Sequence, residues 1–141
     1  LEVQLSSIQR DVADVNMHLS PNSSKNLDEL FAAFSDTWNP RVAGKINNMA
    51  IKLAKFEGEF VWHHRETEDE MFLVHKGRLL MKFRDRDEVL NVGDFIIVPH
   101  GVEHCPVALD GTCEVLLFEP DKTVNTGNAD DPRGVIDLAE V

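Results

Sequence analysis

Short stretches of alternating apolar and polar residues occupy most of the chain between residues 48 and 119. Successive side chains of a β-strand point to opposite faces, so a period of two predicts strands with one buried face. Gly, Pro, Asn and Asp residues separate these stretches and are typical of turns. The predicted strands are 49–56, 59–65, 70–76, 78–84, 87–91, 95–98, 104–109 and 113–119.

This succession of short strands predicts an all-β fold, either a sandwich or a barrel. No helical pattern of useful length interrupts it, which excludes folds that alternate strands with helices. A closed sheet is favoured because closure removes exposed strand edges. The aromatic residues of this region are expected in the core: Phe60, Trp62, Phe72, Phe83, Phe95 and Phe118.

One short amphipathic helix is predicted before the strands. Asn26 is a favourable helix cap, and Glu29 follows three positions later as in a capping box. Four apolar residues then recur with helical spacing, which gives the helix a face that can pack on the barrel. They are Leu27, Leu30, Phe31 and Phe34.

The pattern divides a chain of 141 residues into three parts that together make one domain. Residues 1–45 form an N-terminal arm that contains the helix, and residues 46–119 form the barrel. Residues 120–141 form a polar C-terminal arm that is expected to wrap over the barrel. Because the first residue is Leu1, the native start is expected to lie upstream.

Composition narrows the classes of partner. The formal net charge of −11 argues against nucleic acids and anionic membranes, because both bind basic surfaces. No apolar run approaches the roughly 20 residues that span a bilayer. The two cysteines, Cys105 and Cys113, are too few for a disulfide framework. They are interpreted as free thiols, which favours a cytoplasmic location.

Two motifs in the middle of the chain concentrate residues that can bind a metal ion. The first, residues 58–77, begins and ends with Gly and contains His63, Arg65 and Glu70 in that order. The second, residues 93–104, reads Gly, five residues, then Pro-x-Gly-x-x-His. Imidazole and carboxylate groups are ligands for divalent transition metals. The candidate ligands are His63, Glu70 and His104.

Strand alternation predicts where these side chains point. His63 and Arg65 share one face of their strand, and His64 takes the other. Glu70 begins the next strand, and His104 opens a third. Three strands therefore aim His, Glu and His at one point inside the barrel.

The paired motifs resemble those of the RmlC-like cupin superfamily, in particular its small single-domain members. Many of these are labelled cupin-2 or mannose-6-phosphate-isomerase-like proteins. The resemblance covers about residues 46–128 and implies a double-stranded β-helix, also called a jelly-roll barrel. In this family three His and one Glu hold a divalent metal ion. It implies that His63, Glu70 and His104 bind Zn, Fe, Ni or Mn, and Arg65 stands where the family has its remaining His.

Arg65 weakens the metal prediction. A guanidinium stays charged and has no lone pair for a metal, so it would repel a divalent ion. It could instead pair with Glu70, hold an anionic ligand, or turn to solvent and leave a three-ligand site. Arg65 and Glu70 are also the candidate catalytic residues, Arg65 orienting an anionic substrate and Glu70 accepting a proton.

A second alignment of the first motif stays open. It would place His64 and Glu66 inward together with Glu70. The segment Trp62-His-His-x-Glu favours the first alignment, because it is similar to a segment of small cupins whose first and third His are the metal positions.

Three functions are compatible with these features. The first is a metal-dependent enzyme that acts on a small organic acid or sugar. The second is a metal-free cupin that binds or senses a small molecule in its barrel. The third is a structural scaffold with a filled interior, since fold alone does not select a function.

The resemblance also implies a homodimer, because small cupins usually pair. The helix face and the outward residues Met71, Leu73 and Leu80 offer apolar surface for a partner. The remaining histidines, His18, His75 and His100, are expected to be exposed.

Overall fold

A computed structural model describes residues 22–135 and 138–141. His18 and the rest of the N-terminal arm up to residue 21 lie outside the described residues. Within the described ranges, no helix is long and apolar enough to cross a membrane. The elements there are α1 (Leu27–Ala32), β1 (Arg41–Ile46), β2 (Met49–Phe56), β3 (Glu70–Phe83), β4 (Asp87–Leu90), β5 (Phe95–Val98) and β6 (His104–Pro120).

The strands form one antiparallel sheet in the order β1-β2-β6-β3-β4, with β5 also paired to β3. The long strands β3 and β6 lie at its centre and pair with each other twice. Residues 71–74 of β3 pair with 115–118, and residues 78–83 pair with 104–109. The predicted all-β fold is confirmed.

Four of the predicted strands are halves of these two long strands. The break predicted at Gly77 is a bend within β3, where the register with β6 shifts. Gly77 has a φ of +86°, and a Cβ there would lie 2.9 Å from the backbone oxygen of Thr112. A residue with a side chain would therefore meet both backbone strain and a clash, so glycine allows the strand to bend without ending.

Two segments differ from the sequence prediction. The chain forms no regular strand over 59–65; it makes isolated bridges there, Glu59 to Val107 and His63 to His104. Conversely, β1 begins at Arg41, before the predicted start of the barrel, and pairs with β2.

The helix packs on the outside of the sheet, as predicted. The Asn26 side chain accepts a hydrogen bond from the Glu29 backbone N–H at 3.1 Å and caps the first turn. Three of the four apolar helix-region residues are buried against the chain's own sheet: Leu30, Phe31 and Phe34. The expectation that the helix face would remain uncovered for a partner is therefore wrong.

Three of the six aromatic residues predicted in the core are buried inside the barrel, Phe60, Phe72 and Phe83, whereas Trp62 and Phe118 are half-buried. Phe95 points outward from β5 with 61% of its surface exposed. Other large apolar residues exposed on this side are Val89, Val92 and Ile97. The homodimer stays a prediction. Its apolar contact surface would include these exposed residues rather than the helix face.

Candidate functional site

Two buried imidazoles lie side by side inside the barrel. His63 and His104 exchange backbone hydrogen bonds, from His63 N to His104 O at 3.0 Å and from His104 N to His63 O at 2.9 Å. This pairing places both side chains on the same face of the two segments. Their ring centroids are 4.3 Å apart, and both residues are at most 2% exposed.

Both rings are oriented in the same way. His63 Nδ1 lies 2.8 Å from the Val61 carbonyl oxygen, and His104 Nδ1 lies 2.9 Å from that of Val102. Since a carbonyl only accepts hydrogen bonds, Nδ1 carries the proton and Nε2 keeps a lone pair. Burial lowers the pKa of His63 to about 3 and that of His104 to about 4, and the Arg65 charge acts in the same direction. Both imidazoles are therefore neutral near pH 7.

Replacing both imidazoles is expected to reduce the loss of stability in acid. An unfolded imidazole takes up a proton near pH 6.5, whereas His63 and His104 stay neutral to about 3 and 4. The unfolded state thus binds more protons below pH 6.5. The two histidines therefore lower the free energy of unfolding as the pH falls. Glu119, whose pKa is raised in the fold, contributes with the opposite sign. Urea unfolding between about pH 7 and 4 should give a flatter profile for His63→Gln/His104→Gln than for wild type.

The control for this prediction is His100→Gln, since His100 is exposed and lies outside the site, with its Nδ1 2.9 Å from Asp69 Oδ1. Its profile should match that of the wild type. Equal pH slopes for the wild type and the double variant would show that the buried rings do not stay neutral in the fold.

Arg65 occupies the site together with Glu70. Its Nη2 donates to Glu70 Oε2 at 2.6 Å and to the Asn125 carbonyl oxygen at 3.2 Å. The side chains of Arg65 and Glu70 are 5% and 1% exposed, so the ion pair is shielded from water. His104 Nε2 lies 3.7 Å from the other oxygen of Glu70, Oε1. The structure thus brings all four sequence-selected residues together; their roles stay predictions.

A second buried ion pair lies behind the first. Lys52 Nζ donates to Glu119 Oε1 at 3.0 Å, and both side chains are at most 1% exposed. The other oxygen, Glu119 Oε2, is 3.8 Å from Arg65 Nη2. Burial and the neighbouring Glu70 carboxylate raise the pKa of Glu119 well above its usual range. When Glu119 holds a proton, Lys52 and Arg65 outnumber the single anion Glu70.

Lys52 and Glu119 were absent from the candidate residues, although the sequence contains a signal for both. Lys52 shares one face of β2 with Ala50 and Ala54, and Glu119 shares one face of β6 with Leu117. A charged residue in an inward-facing register is rarely buried without an opposite charge. The pattern could have indicated two buried charges, but not that they meet.

A small cavity adjoins the two imidazoles and the first ion pair. Its water-accessible volume is about 20 Å³, enough for one water molecule. Aromatic rings form much of its wall; Trp38 stacks on Phe56 and on Phe60 with centroid distances of 4.3 Å each. The lining residues that contribute polar side chains are His63, Arg65, Glu70 and Asn125.

In the second ion pair, Glu119 Oε2 has no hydrogen-bond partner in the described part of the chain. Four buried atoms of the first ion pair and of His104 also have none there: Arg65 Nε, Arg65 Nη1, Glu70 Oε1 and His104 Nε2. Buried polar groups are nearly always paired, because leaving one unpaired costs about 1–3 kcal/mol. The first ion pair and His104 therefore hold two free donors and two free acceptors.

The remaining histidines lie outside the site. His64 points outward, and its Nε2 is 2.9 Å from Glu66 Oε1, whose side chain is 78% exposed. The backbone therefore follows the first alignment of the motif, with His63 inward. His100 is exposed as predicted, but His75 is partly covered by α1, with its ring stacked on Phe31 at 5.1 Å.

The residues present do not fit a divalent metal ion in this arrangement. The neutral imidazoles offer suitable Nε2 lone pairs, but the Arg65 guanidinium is bound to the carboxylate that would complete the set. Among residues 22–135 and 138–141, no three His, Cys, Asp or Glu side chains are grouped to hold one ion. A fixed positive charge at hydrogen-bonding distance from Glu70 opposes a second cation there.

Comparison with known proteins identifies the family. The cupin-domain model matches residues 51–119. A solved cupin-2 domain protein from Shewanella frigidimarina is 41% identical, with 68% of this chain and 93% of that chain covered and a TM-score of 0.66. Protein NMB1881 from Neisseria meningitidis is 24% identical over 70% of this chain and 100% of that chain. Its TM-score of 0.64 shows the shared fold alone.

The uncharacterised protein YdbB of Bacillus subtilis is 39% identical over 61 residues, 43% of this chain. The chain spans about half, 54%, of the length of that curated relative. None of these names assigns an activity, and the mannose-6-phosphate-isomerase-like subgroup stays a prediction. The all-β architecture, the family match and the Shewanella protein agree on one conclusion, that this chain belongs to the cupin-domain family.

Proposed function

We propose that the barrel binds a small carboxylic acid through Arg65, without a metal ion. The observation that carries this proposal is a buried guanidinium with two unused nitrogen donors, Nε and Nη1. Each of these charged N–H groups can donate a hydrogen bond to a carboxylate oxygen, and hydrogen bonds between charged groups are the stronger ones.

The surroundings of Arg65 favour an acid with an apolar body. Trp38, Phe56, Phe60 and Phe72 line the cavity beside it and provide apolar contact. Ligand sites of this kind combine apolar walls with a few polar groups that fix orientation. A protonated Glu119 leaves the network with one excess positive charge, which favours a monoanion.

Benzoate is expected to bind the wild-type protein more tightly than its neutral amide, benzamide, by about tenfold or more, which is about 1.4 kcal/mol. Both molecules have nearly the same size, so the difference reports the carboxylate charge. Arg65→Met should lose this preference, whereas Arg84→Gln should keep it because Arg84 is exposed and stacks on Trp62. Isothermal titration calorimetry measures all four combinations.

Acetate and acetamide, titrated in the same way, test whether a smaller acid is preferred. Circular dichroism checks that Arg65→Met folds, since it removes one partner of a buried ion pair. Equal affinity of the wild type for each acid and its amide would reject the proposal. So would an Arg65→Met variant that folds and binds benzoate as tightly as the wild type.

A second candidate function is an enzyme that acts on such an acid. The observation in its favour is Glu70 Oε1, a buried carboxylate oxygen without a hydrogen-bond partner among the described residues, 3.7 Å from His104 Nε2. A carboxylate in this position can accept a proton from a substrate that Arg65 holds. Loss of turnover with retained acid binding in Glu70→Gln would distinguish this function from binding alone.

A further inference from the structure

The final part of the described chain crosses the site, and we call residues 121–135 the C-terminal strap. We infer that the C-terminal strap is a lid that must lift before a ligand reaches Arg65. This inference rests on the proposed carboxylate binding, because it assigns a gate to the same site.

The strap is held against the site by hydrogen bonds from its backbone and from the Asn128 side chain. His64 N donates to Asn128 Oδ1 at 2.8 Å, and Asn128 N donates back to the His64 carbonyl oxygen at 3.1 Å. The Asn125 carbonyl oxygen accepts from Arg65 Nη2 at 3.2 Å. The strap therefore contacts both the segment that carries His63 and the guanidinium itself.

Gly127 lies directly on these residues. A Cβ at this position would be 2.5 Å from the His64 carbonyl oxygen, 2.7 Å from Arg65 Nη1 and 3.0 Å from His63 Cδ2. Such distances leave no room for a ligand atom between the strap and the site. The free donor Nη1 is thus covered by strap backbone rather than by a hydrogen-bonding partner.

The cavity is too small, as it stands, for the proposed ligand. A volume of about 20 Å³ holds one water molecule, whereas even the smallest carboxylic acid has several heavy atoms. One wall must therefore move. The β-sheet walls are joined by continuous ladders, such as that between β2 and β6. The strap is held by turns and individual hydrogen bonds rather than by a strand ladder, and its buried residues, Thr123 and Thr126, are polar.

The two ends of the strap are anchored, which allows the middle to move as a unit. Lys52 Nζ donates to the Thr123 carbonyl oxygen at 3.2 Å near the start. Arg133 donates to the Glu59 carbonyl oxygen at 3.2 Å and stacks on Phe60 at 4.6 Å near the end. Segments with few buried apolar contacts open at lower free energy than the core.

Native-state hydrogen exchange tests the lid without any ligand. The amides of His64, Gly127 and Asn128 are expected to exchange about a hundredfold faster than those of β3 and β6, because they open without global unfolding. Asn128→Ala should further accelerate hydrogen exchange of the His64 amide, because it removes the oxygen that this amide is bonded to. Asn39→Ala, which removes an exposed bond to Asp36, should leave it unchanged. Exchange of the strap amides only at the rate of β3 and β6 would overturn the lid, whatever the result with benzoate.

A reversible crosslink tests the gate during binding. His64 and Asn128 are joined by two hydrogen bonds, so a disulfide in His64→Cys/Asn128→Cys would hold the strap against the site. The native thiols do not compete, since burial raises the pKa of Cys105 to about 11 and that of Cys113 to about 12. The association rate of benzoate, followed by Trp38 fluorescence in stopped flow, should fall at least about tenfold on oxidation and recover on reduction.

The two experiments separate the lid from the proposed function. Equal association rates for oxidised and reduced protein would overturn the lid and leave carboxylate binding intact. If benzoate fails to bind even the wild type, the carboxylate proposal fails. Hydrogen exchange then still decides whether the strap opens.

Discussion

Lys52→Met is expected to lower the free energy of unfolding by about 3–5 kcal/mol near pH 8. Methionine fills a similar volume but cannot donate the hydrogen bonds of Lys52 to Glu119 and to the Thr123 carbonyl oxygen. Glu119, 1% exposed, is left without its nearest cation. Because Arg65 is 3.8 Å away and already bonded to Glu70, it compensates only partly.

Urea unfolding of four proteins measures this effect: the wild type, Lys52→Met, Glu119→Leu and the double variant. The double variant should recover about 2 kcal/mol or more of the loss, since replacing both members of a buried pair by apolar residues is often nearly neutral. The cost of Lys52→Met should also shrink as the pH falls, because Glu119, with its raised pKa, takes up a proton. A loss below about 1 kcal/mol for both single variants would mean that the pair contributes little.

Arg65→His is expected to raise the affinity for a divalent metal ion at least about tenfold, or about 1.4 kcal/mol. The substitution removes the guanidinium that holds Glu70 Oε2 at 2.6 Å and adds an imidazole where the family has one. The imidazoles of His63 and His104 need no reorientation, because their Nδ1 atoms are already bonded to carbonyl oxygens. Outer hydrogen bonds of this kind orient metal-binding histidines in other proteins.

Calorimetric titration of Zn or Ni into metal-free wild type and variant gives the two affinities directly. Arg65→Gln is the matched control, since it removes the charge without adding an imidazole, and its affinity should lie between the other two. Equal affinity for wild type and Arg65→His would show that position 65 is not part of a ligand set. Tight binding of Zn or Ni by the wild type would favour the metal-dependent enzyme predicted from the family resemblance.

The local part of the site could be predicted from the sequence. Alternation along one extended segment was enough to place His63 and Arg65 on the same side with His64 opposite, because side-chain direction depends only on neighbouring residues. The Gly and Pro residues of the two motifs similarly predicted where the chain turns. Residues 59–65 form no regular strand, yet their extended backbone keeps this alternation.

The sequence left open which group Arg65 would contact. An Arg beside a predicted metal site can pair with a carboxylate, bind a ligand or turn to solvent. The choice depends on contacts between segments that are distant in the sequence. The structure selects the pair with Glu70 and adds a contact to Asn125, sixty residues along the chain. Phe95 failed as a core residue for the same reason, since alternation predicts two faces but not which one the barrel covers.

The sequence by itself determined an all-β fold and the helix with its Asn26 cap, because periodicity and turn chemistry are local. The resemblance of its two motifs to those of cupins implied the jelly-roll barrel and the site positions of His63, Arg65, Glu70 and His104. Only the tertiary structure decided that Lys52 meets Glu119 and that the strap covers Arg65 at Gly127. Both contacts join segments more than sixty residues apart, and their geometry depends on strand register and on the path of an irregular arm.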